Sequence, residues 1–203
     1  MKIICVGRNY AAHIKELNNK PEEEPVIFMK PETALIAYRQ PFFYPKFSNE
    51  IHYEVELVVR IDKVGKNIAE RFAHKYYDEI TVGIDFTARD LQSKLKSAGL
   101  PWERAKAFDS SAPVGEFISK NQFNSIEEIP FSLLINGELR QEGNSSQMLF
   151  SIDRIIASVS SFVTLKKGDL LFTGTPEGVG EIKKGDHLEA FINNQKLLDL
   201  KVR

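Results

Sequence analysis

Ile51-His52-Tyr53-Glu54-Val55-Glu56-Leu57-Val58-Val59-Arg60-Ile61 alternates as a strand does. His52, Glu54, Glu56 and Val58 fall on one face, and Tyr53, Val55, Leu57 and Val59 on the other. The spacing of two places both glutamates side by side. Like charges this close raise each other's pKa unless something positive lies between them. No Lys or Arg alternates with them on that face, and a bound cation would resolve the conflict. Read alone, Glu-x-Glu still fits a solvated strand face better, by roughly two to one.

Downstream, Ile80 to Phe86 reads as a second strand, with Asp85 inside an apolar run. Buried Asp is rare unless it is paired or bound to metal. An acid just before a helix, favoured by the helix dipole, is the plainer alternative. Three carboxylates without a nearby Cys would give an oxygen-only site. That donor set suits Mg²⁺ or Mn²⁺ better than Ca²⁺. His52 shares the face of Glu54 and could donate to the ligands. Thr87, with Asp90 three residues on, predicts a helix N-cap. Leu91, Leu95 and Ala98 form the apolar stripe of that helix, and Gly99 with Pro101 ends it.

Around this pair of strands the chain is β-rich. Residues 2–6 and Val26 to Met29 read as short strands, and Tyr10 to Leu17 as a short helix. The stretch Asn18 to Pro25 has two prolines and no apolar residue, which predicts a loop. Phe131 to Ile135, Asn136-Gly137 and Glu138 to Gln141 predict a type I′ hairpin. Ser151 predicts the cap of a helix burying Ile152, Ile155, Ile156 and Val159. Lys-Lys-Gly-Asp occurs at 166–169 and 183–186, each time before an expected strand, and Lys196 to Val202 closes the series. Many strands with few helices give an α+β class. No composition shift marks a boundary, so residues 1–203 are expected to form one domain.

Composition excludes several roles. The 203 residues carry a formal net charge of −1, so nothing favours nucleic acid or an anionic membrane. No apolar stretch is long enough to span a bilayer, and the start is too short for a signal peptide. The single cysteine, Cys5, allows no intrachain disulfide and suits a reducing cytosol.

Further residues have the types that chemistry needs, each with an ordinary alternative. Arg89 and Gln92 share one face near a helix start. Arg89 could hold a substrate carboxylate in its fork, or simply pair with Asp90 or Glu103. Lys106, among Ala105, Ala107 and Phe108, could be desolvated beside an oxyanion, or snorkel at the surface. His13 and Glu16, three apart on a helix, match a carboxylate-fixed general base, although such pairs are commonly surface decoration. Their place beside the Pro/Glu loop makes residues 10–25 a candidate lid. The loop Thr173 to Gly180 lacks the Gly-Lys-Ser/Thr ending of a P-loop. Its backbone and Thr175 could hold a carboxylate, or it is a tight turn.

Several segments together are more specific. These are Gly7-Arg8-Asn9-Tyr10, His13-Ile14-Lys15-Glu16, Phe28-Met29-Lys30-Pro31, His52 to Leu57, Asp85 to Gln92, Gly99-Leu100-Pro101-Trp102, Asn136-Gly137-Glu138 and Thr173-Gly174-Thr175-Pro176. In this order the chain resembles the fumarylacetoacetate hydrolase family from near residue 5 to near residue 200. The match is nearest to short members similar to acylpyruvases and oxaloacetate-handling proteins.

The resemblance implies a β-rich roll of mixed sheets with a few short helices, usually a homodimer. It implies Glu54, Glu56 and Asp85 as ligands of Mg²⁺ or Mn²⁺, and His13 with Glu16 as a water-activating dyad on a lid helix. Lys30, Arg89, Gln92, Lys106 and Thr175 fall on substrate-binding or oxyanion positions, with Lys106 polarising an oxygen. The implied reaction is hydrolysis of a C–C bond in a small β-diketo acid such as an acylpyruvate or fumarylpyruvate. Decarboxylation or keto–enol tautomerisation of oxaloacetate would use the same site. A non-catalytic carboxylate-binding protein is a third reading, against which the dyad stands. Two departures are visible. The N-terminal domain of larger family members is absent, and Tyr53 stands where close relatives often carry His. Tyr53 is expected to point away from the metal face.

Overall fold

The computed structural model describes residues 1–16, 22–36 and 40–203. The expected continuous strand over 51–61 is two strands, Ile51–Tyr53 and Val55–Ile61, broken at Glu54. The reason lies in its partners. Val55–Ile61 pairs antiparallel with Tyr77–Ile84, matching Val55 to Ile84. Ile51–Tyr53 instead pairs with Thr87–Ala88 and Gly180–Glu181, in a separate small sheet. Both chains of this ribbon therefore pass from one sheet to another at the same level. Glu54 and Asp85 sit at the two crossing points, tied by Asp85 N–H donating to the Glu54 carbonyl at 2.8 Å. Asp85 lies just past the end of its strand, not within it.

The larger sheet has six strands in the order Val26–Lys30, Ile3–Gly7, Leu170–Phe172, Val55–Ile61, Tyr77–Ile84, Ile118–Ser119. Ile3–Gly7 runs parallel to Leu170–Phe172, and the other pairings are antiparallel, so the sheet is mixed. Val55–Ile61 is buried on both faces, with only Arg60 partly exposed. Val55, Leu57, Val59 and Ile61 join the main core. Val58 joins a smaller cluster with Ile3, Cys5 and Phe172. The alternation read from the sequence thus survives the break. A second sheet, ordered Glu138–Asn144, Pro130–Ile135, His187–Ile192, Gln195–Lys201, is antiparallel throughout. Its inner strands alternate buried and half-exposed residues, as a sheet packed on one face must.

Local signals explain the connections. Asn136 and Gly137 both have positive φ, 55° and 82°, as a type I′ turn requires. The Ser151 hydroxyl accepts from Arg154 N–H and starts the helix Ile152–Phe162. Both Lys-Lys-Gly-Asp turns close alike. The Asp carboxylate accepts the first Lys N–H at 2.7 Å, and the glycine takes φ of 90° or 98°. The α+β, strand-rich architecture with few short helices holds. No helix among the described residues is long and apolar enough to cross a membrane.

Two local expectations fail. Thr87 does not cap the helix Arg89–Ser97; Ala88 precedes it, with no side-chain cap. Thr87 is paired in the small sheet, and its hydroxyl donates to Glu54 Oε1 at 3.0 Å. Asp90 serves Ser48, Asn49 and Leu91 instead. The expected apolar stripe also shifts, since Ala98 is exposed and Gln92 is the buried residue of the helix. Gln92 turns into the cavity over the carboxylates, while Leu91 packs partly buried against the main core.

Candidate active site

The crossing ribbon and the loop after Leu170–Phe172 gather three buried carboxylates. One oxygen from each of Glu54, Glu56 and Asp85 lies within 4.8 Å of the others. Their residues are 5%, 1% and 1% exposed. Cations reach two of them from remote parts of the chain. Lys106 Nζ donates to Glu54 Oε2 at 2.8 Å, Asp85 Oδ2 at 2.6 Å and Thr87 Oγ1 at 2.6 Å. Arg89 Nη2 pairs with Glu54 Oε1 at 2.6 Å. Lys30 Nζ pairs with Asp85 Oδ1 at 2.7 Å. The charge conflict read along one strand face is thus partly met by residues that the strand pattern could not bring together.

Glu56 remains different. Its Oε2 accepts the Gly174 N–H at 2.7 Å, and no ion pair reaches it among the described residues. Burial pushes its carboxyl well above the ordinary range, and the negative Asp85 and Glu54 add to the effect. Burial also pushes Glu54 up, but the Lys106 ammonium and Arg89 guanidinium outweigh it and hold Glu54 well below that range. Lys106 is lifted by Asp85 and Glu54 against its own burial. A buried oxygen-only set in which one member, Glu56, has no ion pair among the described residues suits a hard divalent cation.

The dyad is assembled on the helix Ala11–Glu16. His13 Nδ1–H donates to Glu16 Oε2 at 2.9 Å, which leaves Nε2 as the basic nitrogen. Glu16 Oε1 also accepts Gly178 N–H at 3.0 Å. Two glycines of the loop Thr173 to Gly180 therefore hold site carboxylates by backbone N–H. Gly174 and Gly178 have φ of 97° and 94°, and a Cβ at Gly178 would lie 2.6 Å from the Arg140 carbonyl oxygen. The loop is more than a turn, since its backbone holds Glu56 and Glu16 in place. Of the expected lid, residues 17–21 lie outside the described residues.

A cavity of about 40 Å³ lies above the carboxylates. His13, Arg89, Gln92, Lys106 and Thr175 line it, as do Arg8, Phe28, Lys96 and Trp102, which residue typing had not singled out. Lys30 does not line it. Its ammonium is wholly buried behind Asp85, contacting Ser111 Oγ at 2.9 Å and the Lys106 carbonyl. It is placed to hold Asp85. Arg89 pairs with neither Asp90 nor Glu103; it meets Glu54 and Gln92 Oε1. His52 contacts Glu50 at 2.8 Å and the Nε of Arg89 at 3.4 Å, so it backs the arginine rather than a carboxylate ligand. Tyr53 is buried in the main core, as expected.

Two buried amides were missed by sequence reading. Gln141 Nε2 donates to Thr175 Oγ1 at 2.9 Å, and its Oε1 accepts Val55 N–H at 2.8 Å. Its inward position in the hairpin strand was the available signal. Asn9 Nδ2 donates to the carbonyls of Thr173 and Phe150 at 2.7 and 3.0 Å, and Oδ1 accepts Phe150 N–H at 2.8 Å. Asn9→Ala strands these buried groups, so it is expected to cost about 2–4 kcal/mol in urea unfolding. A loss under about 0.5 kcal/mol would show that water replaces the amide.

The family model described as fumarylacetoacetate (FAA) hydrolase C-terminal matches residues 2–203. Among curated relatives, the mitochondrial oxaloacetate tautomerase FAHD1 of Mus musculus is 45% identical over 201 residues, covering 99% of this chain and 91% of that protein. The oxaloacetate tautomerase YcgM of Escherichia coli K12 is 45% identical over 197 residues, covering 97% and 90%. Among solved structures, fumarylpyruvate hydrolase from Pseudomonas aeruginosa in complex with Mn²⁺ and pyruvate has a TM-score of 0.94 at 38% identity, covering 100% of this chain and 89% of that one. The ribbon carboxylates, the fold around them and this full-length similarity agree: the chain belongs to the fumarylacetoacetate hydrolase family.

Proposed function

We propose that this protein interconverts the enol and keto forms of oxaloacetate, with Mg²⁺ or Mn²⁺ held by Glu54, Glu56 and Asp85. The observation that carries this reading is a buried oxygen-only donor set under a His13–Glu16 dyad, in a chain 45% identical to two oxaloacetate tautomerases. When bound, the cation would act as a Lewis acid that offsets the negative charge developing on the substrate's 2-oxygen.

The chain's own groups supply the rest. Arg89, steadied by Gln92 and His52, would orient the carboxylate next to the reacting carbonyl. Lys106 would hydrogen-bond the same end of the substrate. His13 Nε2 would remove or return the proton at C3, and Glu16 would keep the ring in the tautomer that permits it. Phe28 and Trp102 on the cavity wall would limit water. Residues 1–203 as one catalytic domain, paired as a homodimer, belong to the same reading.

Hydrolysis of an acylpyruvate, the first expectation from the sequence, becomes the second reading. It is favoured by the similarity to a fumarylpyruvate hydrolase. In that reaction the dyad would deprotonate water instead of C3. Loss of enolic oxaloacetate absorbance and of acetylpyruvate absorbance, each followed with metal and with products identified by NMR, separates the two. Catalysed ketonisation with oxaloacetate recovered is expected; catalysed release of pyruvate alone would replace the proposal with decarboxylation.

A further inference from the structure

Two cations on the cavity wall have no part in the reaction just described. Arg8 and Lys96 line the same cavity as the three carboxylates. Arg89, Lys106 and Lys30 are drawn down to Glu54 and Asp85. Among the described residues Arg8 reaches neither of those carboxylates; its Nη1 donates to Oε1 of Glu22, an exposed acid beyond the dyad helix.

Arg8 is also unusual in its backbone. It leaves the strand Ile3–Gly7 with φ of 61°. A left-handed conformation costs a non-glycine residue about 1–2 kcal/mol, and such strain concentrates where a side chain must be aimed. Lys96 is an exposed residue on the cavity rim, where desolvation, Arg8 and Arg89 push it down and Glu54 raises it. The Arg8 guanidinium already pairs with a carboxylate through a single Nη1–Oε1 contact, and its other nitrogens remain for a second oxygen to complete a fork.

We propose that Arg8, supported by Lys96, binds the second carboxylate of a dianionic 2-oxo acid, which displaces Glu22 from the fork. The proposal rests on the tautomerase reading and narrows it. The chain should favour dicarboxylic over monocarboxylic 2-oxo acids, because the remote charge is read by a wall separate from the carboxylate floor.

The test compares oxaloacetate with its 4-methyl ester, which keeps the first carboxylate, the 2-oxo group and the C3 hydrogens but loses the second charge. Both kcat/KM for ketonisation and Kd by calorimetry are read in the metal-loaded protein. A charge-assisted contact predicts that the native protein prefers the dianion by about 10–100-fold. Arg8→Met should bring this ratio close to one, and Lys96→Met should lower it several-fold. Arg8→Asn tolerates the left-handed backbone, so it separates charge from strain. Arg8→Lys should recover part of the preference. Glu22→Gln should tighten oxaloacetate binding by removing the internal competitor. An unchanged ratio in Arg8→Met and Arg8→Asn, or equal losses for both ligands, would overturn the subsite. Absence of ketonisation with the dianion preference intact in Kd would overturn the reaction and leave the subsite standing.

Discussion

Glu56→Ala is expected to reduce Mn²⁺ affinity by more than about 100-fold and ketonisation by about 10³-fold. Glu54 and Asp85 already share Lys106, and each has a further cation, so they attract a metal less strongly than bare carboxylates would. Glu56 has only the Gly174 N–H, and burial beside two acids leaves its charge the least compensated of the three. Its removal therefore takes away the ligand that most needs a cation. Glu56→Gln separates charge from shape, since an amide oxygen can still accept from Gly174. Calorimetric titration with Mn²⁺ on both variants, with urea unfolding as a fold control, measures the effect. Near-native affinity in well-folded Glu56→Ala would place the metal elsewhere.

His13→Ala should lower ketonisation by about 10²–10⁴-fold, the ordinary scale of a positioned general base. Metal affinity should persist, because His13 is not in the carboxylate set. Glu16→Gln should cost less. An amide oxygen can still accept from His13, but it no longer stabilises the imidazolium that forms when Nε2 holds the proton. The Gly178 N–H that steadies Glu16 would remain in place. The discriminating readout is the pH profile of kcat/KM: loss of one of its limbs in His13→Ala identifies the proton carrier. A profile with unchanged shape and uniformly lower rates would reduce the dyad to a positioning role and direct attention to Lys106.

Much of this site was legible because its residues lie close together in sequence. Glu54 and Glu56 follow from a period of two, and Arg89 and Gln92 from a helical spacing of three. The His13–Glu16 pair is local too, and its hydrogen bond forms as the spacing suggests. The long-range electrostatics were not legible. Lys30 and Lys106 stand 55 and 21 positions from Asp85 in sequence, yet both reach it. No strand pattern reveals a counter-ion that arrives from another element. The sheet switch at Glu54 was hidden for a related reason. Alternation is preserved through the break, and only the pairing partners change. Gln141 and Asn9 look like ordinary polar residues until the backbone groups they satisfy are known. Thr87 was misread because a hydroxyl before a helix is more often a cap than a partner of a buried acid.

If the proposed reaction is right, this site forms and consumes an enolate without spending water. One preparation loaded with Mn²⁺, and then stripped with chelator, should be measured on enolic oxaloacetate and acetylpyruvate side by side. The kcat/KM for oxaloacetate ketonisation is expected to exceed that for acetylpyruvate hydrolysis by at least about tenfold, a difference of about 1.4 kcal/mol, with both lost on chelation. Acetylpyruvate hydrolysis outrunning ketonisation, or ketonisation that survives complete metal removal, would contradict the proposed reaction.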